Sequence, residues 1–307
     1  MKTQQPHFPW KSFLHPRYAF SWLGVGTLWL ISKLPYALAI RIGQAIGIGA
    51  YAFAKKRRHI TEVNLALCFP ELSAEQQQQL CKNSFMSVGI GLIEMALAWW
   101  KPIQKLTPLL HIKGIEHLHA ALNSQQGLLI LGAHFTTLDL VGRLLSSQYA
   151  LCVTYRNTKD PLFDAMMQYK RETFFSASIN RHDIRQFIRI LKNKGMVWYA
   201  PDQDYGAKHS VFAPFFGIPA ATITATSRLT KLGKALILPC FQNRLPNNQG
   251  YLIEFQPVLQ HYPSEDEVID ATRINQILEQ AILRCPEQYL WQHRRFKTRP
   301  NGSPRLY

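Results

Sequence analysis

Leu128-Leu129-Ile130-Leu131-Gly132-Ala133-His134-Phe135-Thr136-Thr137-Leu138-Asp139 is the stretch on which the fold turns. Four consecutive apolar residues, two small ones and then a helical pattern read as a buried strand, a tight turn and a helix start. A strand of that kind belongs to a parallel sheet covered on both faces. The histidine stands at the strand's carboxyl end, where ligands bind in open α/β sheets. A neutral imidazole there accepts a proton, and a carboxylate behind it fixes the tautomer and stabilises the imidazolium. The expectation is that His134 is a general base and that Asp139, five residues on, orients it.

Spacing alone is a weak signal, because His111 and Glu116, and His261 and Asp266, stand equally far apart. Context separates them. His261 lies in a polar loop, and His111 runs into Lys113-Gly114 without a long apolar strand before it. Only His134 follows a strand-like run through Gly-Ala into a helix.

Outward from this segment the chain alternates. Strand-like runs cover residues 150–155, 196–199, 235–241 and 251–255, and helix-like runs cover 137–147, 161–175, 183–194, 222–232 and 265–283. That alternation predicts an α/β fold, a mainly parallel central sheet flanked by helices. Residues 55–100 read as helices packed on the sheet, with Ser73 opening the second.

The N-terminal part is different. Residues 18–32 carry no charge, and residues 34–54 stay apolar apart from breaks at Pro35, Arg41 and Gln44. Lys55-Lys56-Arg57-Arg58-His59 follows. Neither half supplies the roughly 20 apolar residues of a clean membrane span, so a tilted span and a helix pair lying in one leaflet both fit. The basic run is expected on the cytoplasmic side. Ala37-Leu38-Ala39 resembles a secretory cleavage site, but the long leader and the basic stop argue against one. The expected organisation is an extension, loosely ordered, over residues 1–17, a membrane anchor over 18–54 and a catalytic domain over 55–307.

A formal net charge of +16 over 307 residues calls for an anionic partner. Nucleic acid is the poor choice, because neither aromatic RNA-binding motifs nor helix-turn-helix signals occur. Five scattered cysteines without a C-x-x-C pattern read as reduced, buried thiols, and no metal-ligand spacing is present.

Four further groups are candidates for substrate binding. Arg156, with Lys159 close by, ends a strand, where a guanidinium suits phosphate or a developing oxyanion. Asp202, Gln203 and Asp204 follow the strand at 196–199 and suit polar substrate contacts or a hydrogen-bonded turn. Phe212, Phe215 and Phe216 lie in what reads as an aromatic loop, suited to a lipid or partner contact or to burial. Thr222 and Thr224 suit a helix cap or a phosphate at a helix start. No P-loop, dinucleotide-binding glycine triplet, G-x-S-x-G elbow or zinc signature occurs. That favours direct transfer, in which the substrate's own hydroxyl attacks.

Taken together, these segments resemble the late acyltransferases of lipid A biosynthesis, within the broader lysophospholipid acyltransferase superfamily, over nearly the whole chain. The resemblance rests on the apolar anchor, Gly132 through Asp139, Tyr155-Arg156-Asn157, Trp198 through Gly206, Val211 through Gly217 and, most distinctively, Pro286 through Pro300. The lauroyl-transferring members that use a Kdo-bearing precursor are the nearest match. The family's acidic residue varies between aspartate and glutamate, which Asp139 satisfies.

The resemblance implies a donor acyl chain on acyl carrier protein and no other cofactor. It implies an acceptor hydroxyl on a hydroxyacyl chain of an anionic phosphorylated glycolipid, at the cytoplasmic face of the inner membrane. His134 would deprotonate that hydroxyl with Asp139 behind it. Arg156 and Lys159 would hold phosphate or oxyanion, and Phe212, Phe215 and Phe216 would line acyl chains. Arg294-Arg295-Phe296-Lys297 would either anchor to anionic lipid or carrier or form a structural cluster. An acyl thioesterase using the same dyad, another membrane glycolipid O-acyltransferase and a non-catalytic basic membrane protein are the alternatives.

Overall fold

The computed structural model describes residues 6–307. In chain order the elements are α1 (Ala19–Lys33), α2 (Tyr36–Phe53), α3 (Lys55–Cys68), α4 (Ala74–Trp100), α5 (Ile103–Leu106), β1 (Leu110–Lys113), α6 (Ile115–Asn123), β2 (Gly127–Leu131), α7 (Leu138–Ser146), β3 (Leu151–Tyr155), α8 (Pro161–Phe174), β4 (Ala177–Asn180), α9 (Ile184–Lys192), β5 (Met196–Tyr199), β6 (Ser210–Phe215), β7 (Ile218–Ile223), α10 (Ala225–Gly233), β8 (Ala235–Arg244), β9 (Tyr251–Phe255) and α11 (Glu267–Arg284).

Seven strands form one sheet in the order β1-β9-β8-β2-β5-β3-β4. The run from β8 to β4 is parallel, β9 is antiparallel to β8, and β1 is parallel to β9. The predicted mainly parallel α/β architecture is therefore present. β2 is its centre: every residue from Gly127 to Leu131 is buried, as a strand covered on both faces requires. The chain moves outward from β2 to β3 to β4 through α7 and α8, then returns through α9 to β5. Right-handed crossovers put α7 and α8 on one face and α9 and α10 on the other. Two apolar clusters mirror this, one joining Leu140, Leu144 and Leu162 to α4, the other joining Phe187, Leu191 and Leu229 to Ile274 and Leu278.

α4 crosses the carboxyl ends of the central strands. Its capping box is complete, with Ser73 accepting from the Gln76 N–H and the Gln76 side chain accepting from the Ser73 N–H. α2 and α4 are each long and apolar enough to cross a membrane, and exposure distinguishes them. Ile93, Ala96 and Leu97 of α4 are buried, so its apolar surface is used inside the protein. α1 and α2, by contrast, leave Phe20, Leu23, Leu30, Leu38, Ile48 and Phe53 exposed. An exposed apolar face this broad suits a lipid contact. α2 and α4 cross closely: a Cβ on Gly89 would stand 2.2 Å from the Gly43 carbonyl oxygen and 2.4 Å from the Gly47 nitrogen.

Three local expectations change. The extension expected to be loose over residues 1–17 lies in part outside the described residues, but Trp10–Phe13 and Pro16–Tyr18 form short 3-10 turns. Phe8 stacks on Phe13, and edge-on contacts of Phe8 with Trp22 and of Phe13 with Tyr18 tie the turns to α1. The segment read as an aromatic loop at 211–217 is β6 and the turn of an antiparallel hairpin with β7. Thr222, read as part of a helix start, lies within β7.

Candidate active site

The ends of β2 and β5 build the site. Leu131 pairs with Tyr199, so the residues just past the two strand ends meet. Three residues beyond each stand His134 and Asp202. The Asp202 carboxylate is fully buried and accepts two hydrogen bonds from one residue, from the His134 backbone N–H at 2.9 Å and from its Nδ1 at 2.6 Å. Nδ1 faces a carboxylate and carries the proton, so Nε2 is left as the basic nitrogen. The His134 side chain is 25% exposed, and no protein group bonds its Nε2 among the described residues.

Burial disfavours the His134 imidazolium, but the charge of Asp202 and its hydrogen bond outweigh that and raise the pKa above the ordinary histidine value. Asp202 is held well below the usual carboxylate range: burial opposes ionisation, and the His134 charge and hydrogen bonds overcome it. Trp198 packs edge-on against the imidazole, with centroids 6.0 Å apart. Gly132 makes that approach feasible, since a Cβ there would lie 2.4 Å from the indole Nε1.

The C-terminal segment closes the other side of the histidine loop. Thr136 N–H donates to the Gln288 carbonyl at 2.9 Å, Leu290 N–H donates to the His134 carbonyl at 3.0 Å, and Phe135 bridges to Tyr289. His293 lies in the same cluster. Its Nδ1–H donates to the Leu290 carbonyl at 2.6 Å, and burial pushes its pKa down to about 4, so it stays neutral near pH 7.

A second, largely buried network supports the loop from α4. Glu94 accepts two hydrogen bonds from Arg244, at 2.6 and 2.7 Å, and a third from the Tyr251 hydroxyl at 2.7 Å. Arg244 reaches on to Ser87 at 3.3 Å, and Ser87 shares a hydrogen bond with Thr136 at 2.7 Å. The Gln288 side chain bonds both the N–H and the carbonyl of Arg244. The end of β8, α4 and the histidine loop thus share one chain of polar contacts. Sequence reasoning missed it, because a lone glutamate within a helix and an arginine at a strand end carry no local sign of one another.

Asp139 is not the carboxylate on His134. Among the described residues no hydrogen bond or ion pair joins them, and the orienting bond goes to Asp202. The reason is geometric: adjacent parallel strands bring two strand ends together, whereas five residues along its own chain Asp139 is already in the first turn of α7. Its side chain is exposed, on the wall of a small recess shared with Trp99, Lys170, Arg171 and Phe174. The protein packed around it partly desolvates the carboxyl and raises its pKa, opposed by the Arg171 guanidinium.

The other predicted residues divide. Arg156 and Lys159 are exposed past the end of β3, beside β5, with no ion-pair partner among the described residues. Gln203 is half-buried. Asp204, expected to touch substrate, instead accepts from Thr298 N–H at 2.6 Å, Thr298 hydroxyl at 2.8 Å and Gly206 N–H at 2.8 Å. It pins the C-terminal segment.

Phe215, expected to line an acyl chain, is fully buried against Phe296 and beneath the Arg295 guanidinium. Phe216 packs on Phe69 and Trp291, and only Phe212 is exposed. The hairpin packs on α11, and that leaves its inward rings no free face. Arg295 is fully buried, donating to the Ala221 carbonyl and the Thr222 hydroxyl. It is structural, and Thr222 is thereby excluded as a phosphate ligand. All five cysteines are buried and unpaired.

Residues 6–298 match the model of the bacterial lipid A biosynthesis acyltransferase family, and the chain belongs to that family. It is 38% identical to a lipid A biosynthesis lauroyltransferase of Escherichia coli over 99% of this chain and 100% of that one. It is 39% identical to the palmitoleoyltransferase of the same organism over 97% of each. A myristoyltransferase of that organism is 29% identical over 97% of this chain and 93% of its own length.

Proposed function

We propose that the protein moves a fatty acyl chain from the thioester of an acyl carrier protein to a hydroxyl on an acyl chain of a Kdo-bearing lipid A precursor. The reaction takes place at the cytoplasmic face of the inner membrane. His134 Nε2 takes the hydroxyl proton as the oxygen attacks the thioester carbonyl carbon. The carbon–sulfur bond breaks, and the phosphopantetheine thiolate leaves and regains a proton from the imidazolium. The products are an ester and a free thiol. Asp202 holds the ring so that Nε2 is the basic nitrogen and stabilises the imidazolium as it forms. Arg156 and Lys159 offer unpaired cations to a lipid phosphate or to the oxyanion.

The observation that carries this reading is the 2.6 Å bond from His134 Nδ1 to a fully buried carboxylate, which leaves Nε2 unbonded. Exposed apolar residues on α1 and α2 support work at a lipid surface.

The test is a radiolabelled assay with an acyl carrier thioester, run with and without the Kdo-bearing precursor, with mass spectrometry of the lipid product. We expect label in the lipid, one acyl ester per transfer, and negligible free acid without acceptor. Release of free acid at the same rate with or without acceptor would show a thioesterase instead.

A further inference from the structure

We propose that α9 is the docking track for the acidic donor carrier protein, a reading that rests on the carrier-bound donor proposed above. α9 buries Phe187 and Leu191 against the sheet and turns a uniformly basic face outward. Arg185, Arg189 and Lys192 are exposed on it, and Arg181 stands just before its first turn. Spacings of four and three put Arg185, Arg189 and Lys192 on one stripe of the helix, about 10 Å long at 1.5 Å per residue, and Arg181 in the preceding turn adds a fourth cation at its near end. The helix itself contains no acidic residue, and Asp183 before it is taken up in capping Gln186. None of the four cations is in an ion pair with a carboxylate among the described residues. Ile184, 46% exposed, adds an apolar contact at the near end. Such a face fits an acidic amphipathic helix of a protein.

Placement favours a carrier over a membrane. The Arg181 N–H donates to the Tyr155 carbonyl at 3.1 Å, which sets the near end of the stripe beside Arg156. Tyr205 there feels the charges of Asp202, Arg181 and Arg156 together, so the track begins at the mouth of the site. The far end lies at the amino ends of the central strands, where a Cβ on Gly127, the first residue of β2, would meet the Leu191 carbonyl oxygen at 2.2 Å. α1 and α2 pack on α4 at the carboxyl ends of the strands. A flat lipid surface under them meets only the near end of the stripe, whereas a folded protein can lie along its whole length and pass its acyl arm to His134.

The test compares the full-length enzyme with its R185E/R189E variant, using acyl carrier thioester and, separately, an acyl-N-acetylcysteamine thioester as donors. We expect KM for the carrier donor to rise about tenfold or more, with kcat unchanged. The small thioester should be used equally by both proteins. Fluorescence anisotropy of labelled carrier should weaken in parallel, and less so for R185Q/R189Q. An unchanged carrier KM overturns the track. So does an unchanged carrier affinity accompanied by lost binding to phosphatidylglycerol vesicles, which would make α9 a lipid contact. If the wild type uses the small thioester but not the carrier donor, the donor reading itself fails, and the track with it.

Discussion

Replacing His134 by alanine is expected to lower kcat about 10²–10⁴-fold, the usual contribution of a positioned general base. The protein should remain folded. His134 is in a loop, and the Asp202 carboxylate left behind keeps the backbone N–H of residue 134 as a donor. KM for either substrate should move little, because the imidazole acts on a proton and holds no other part of the donor or acceptor. The check is a steady-state assay alongside a thermal unfolding curve of the same preparation. Retained turnover would remove His134 from the chemistry. Lost turnover with lost folding would be answered by His134→Gln, which keeps bulk and hydrogen bonding but has no basic nitrogen.

The largest expected effect on stability lies away from the chemistry, at the Glu94–Arg244 pair. Glu94 is fully buried, and Arg244 is 11% exposed. Burial alone would lower the arginine pKa, but the Glu94 carboxylate raises it above the ordinary value, so the guanidinium stays charged. Arg244→Ala leaves a buried carboxylate with one hydroxyl donor, Tyr251. Breaking such a pair costs about 3–5 kcal/mol, or a fall in Tm of about 5–8 °C for a chain of this size. The double replacement E94M/R244M should recover part of this, because it removes the stranded charge. Because Arg244 reaches Thr136 through Ser87, the single variant should also lose activity below its unfolding temperature. A Tm within a degree of wild type would show that the network contributes nothing to the fold.

The core of this architecture was legible in the residues themselves. Residues 128–131, 196–199 and 251–255 are continuous or alternating apolar runs between turn signals, and each is a strand. What escaped reading sits at edges. β1 and β4 are short edge strands, β1 alternating half-buried and exposed positions and β4 fully burying only Ile179, so no apolar run marks them. The β6–β7 hairpin pairs Pro214 with Pro219 around Gly217, and those residues ordinarily signal a loop; an isolated two-stranded ribbon tolerates them because both its strands are edges.

The site shows the same limit. That His134, Arg156 and Asp202 all follow strand ends is readable from the chain. That Asp202 and not Asp139 meets the imidazole depends on β5 lying beside β2, an order that local spacing does not encode. The burial of Phe215 and Arg295 likewise depends on where the C-terminal segment returns.

The most direct test of the His134–Asp202 claim is the pH dependence of kcat/KM for the wild type, Asp202→Asn and Asp139→Asn. The base works only when neutral, and its pKa is raised above 6.5 by Asp202. Wild-type kcat/KM should therefore climb with pH through a midpoint above 6.5 and then level off. In Asp202→Asn the raising charge is gone and burial remains, so the midpoint should move to lower pH, while the plateau falls about 10²–10⁴-fold through loss of the correct tautomer and orientation. Asp139→Asn should leave the midpoint near the wild-type value. A wild-type plateau and midpoint in Asp202→Asn, or the shifted midpoint appearing in Asp139→Asn instead, would contradict the account.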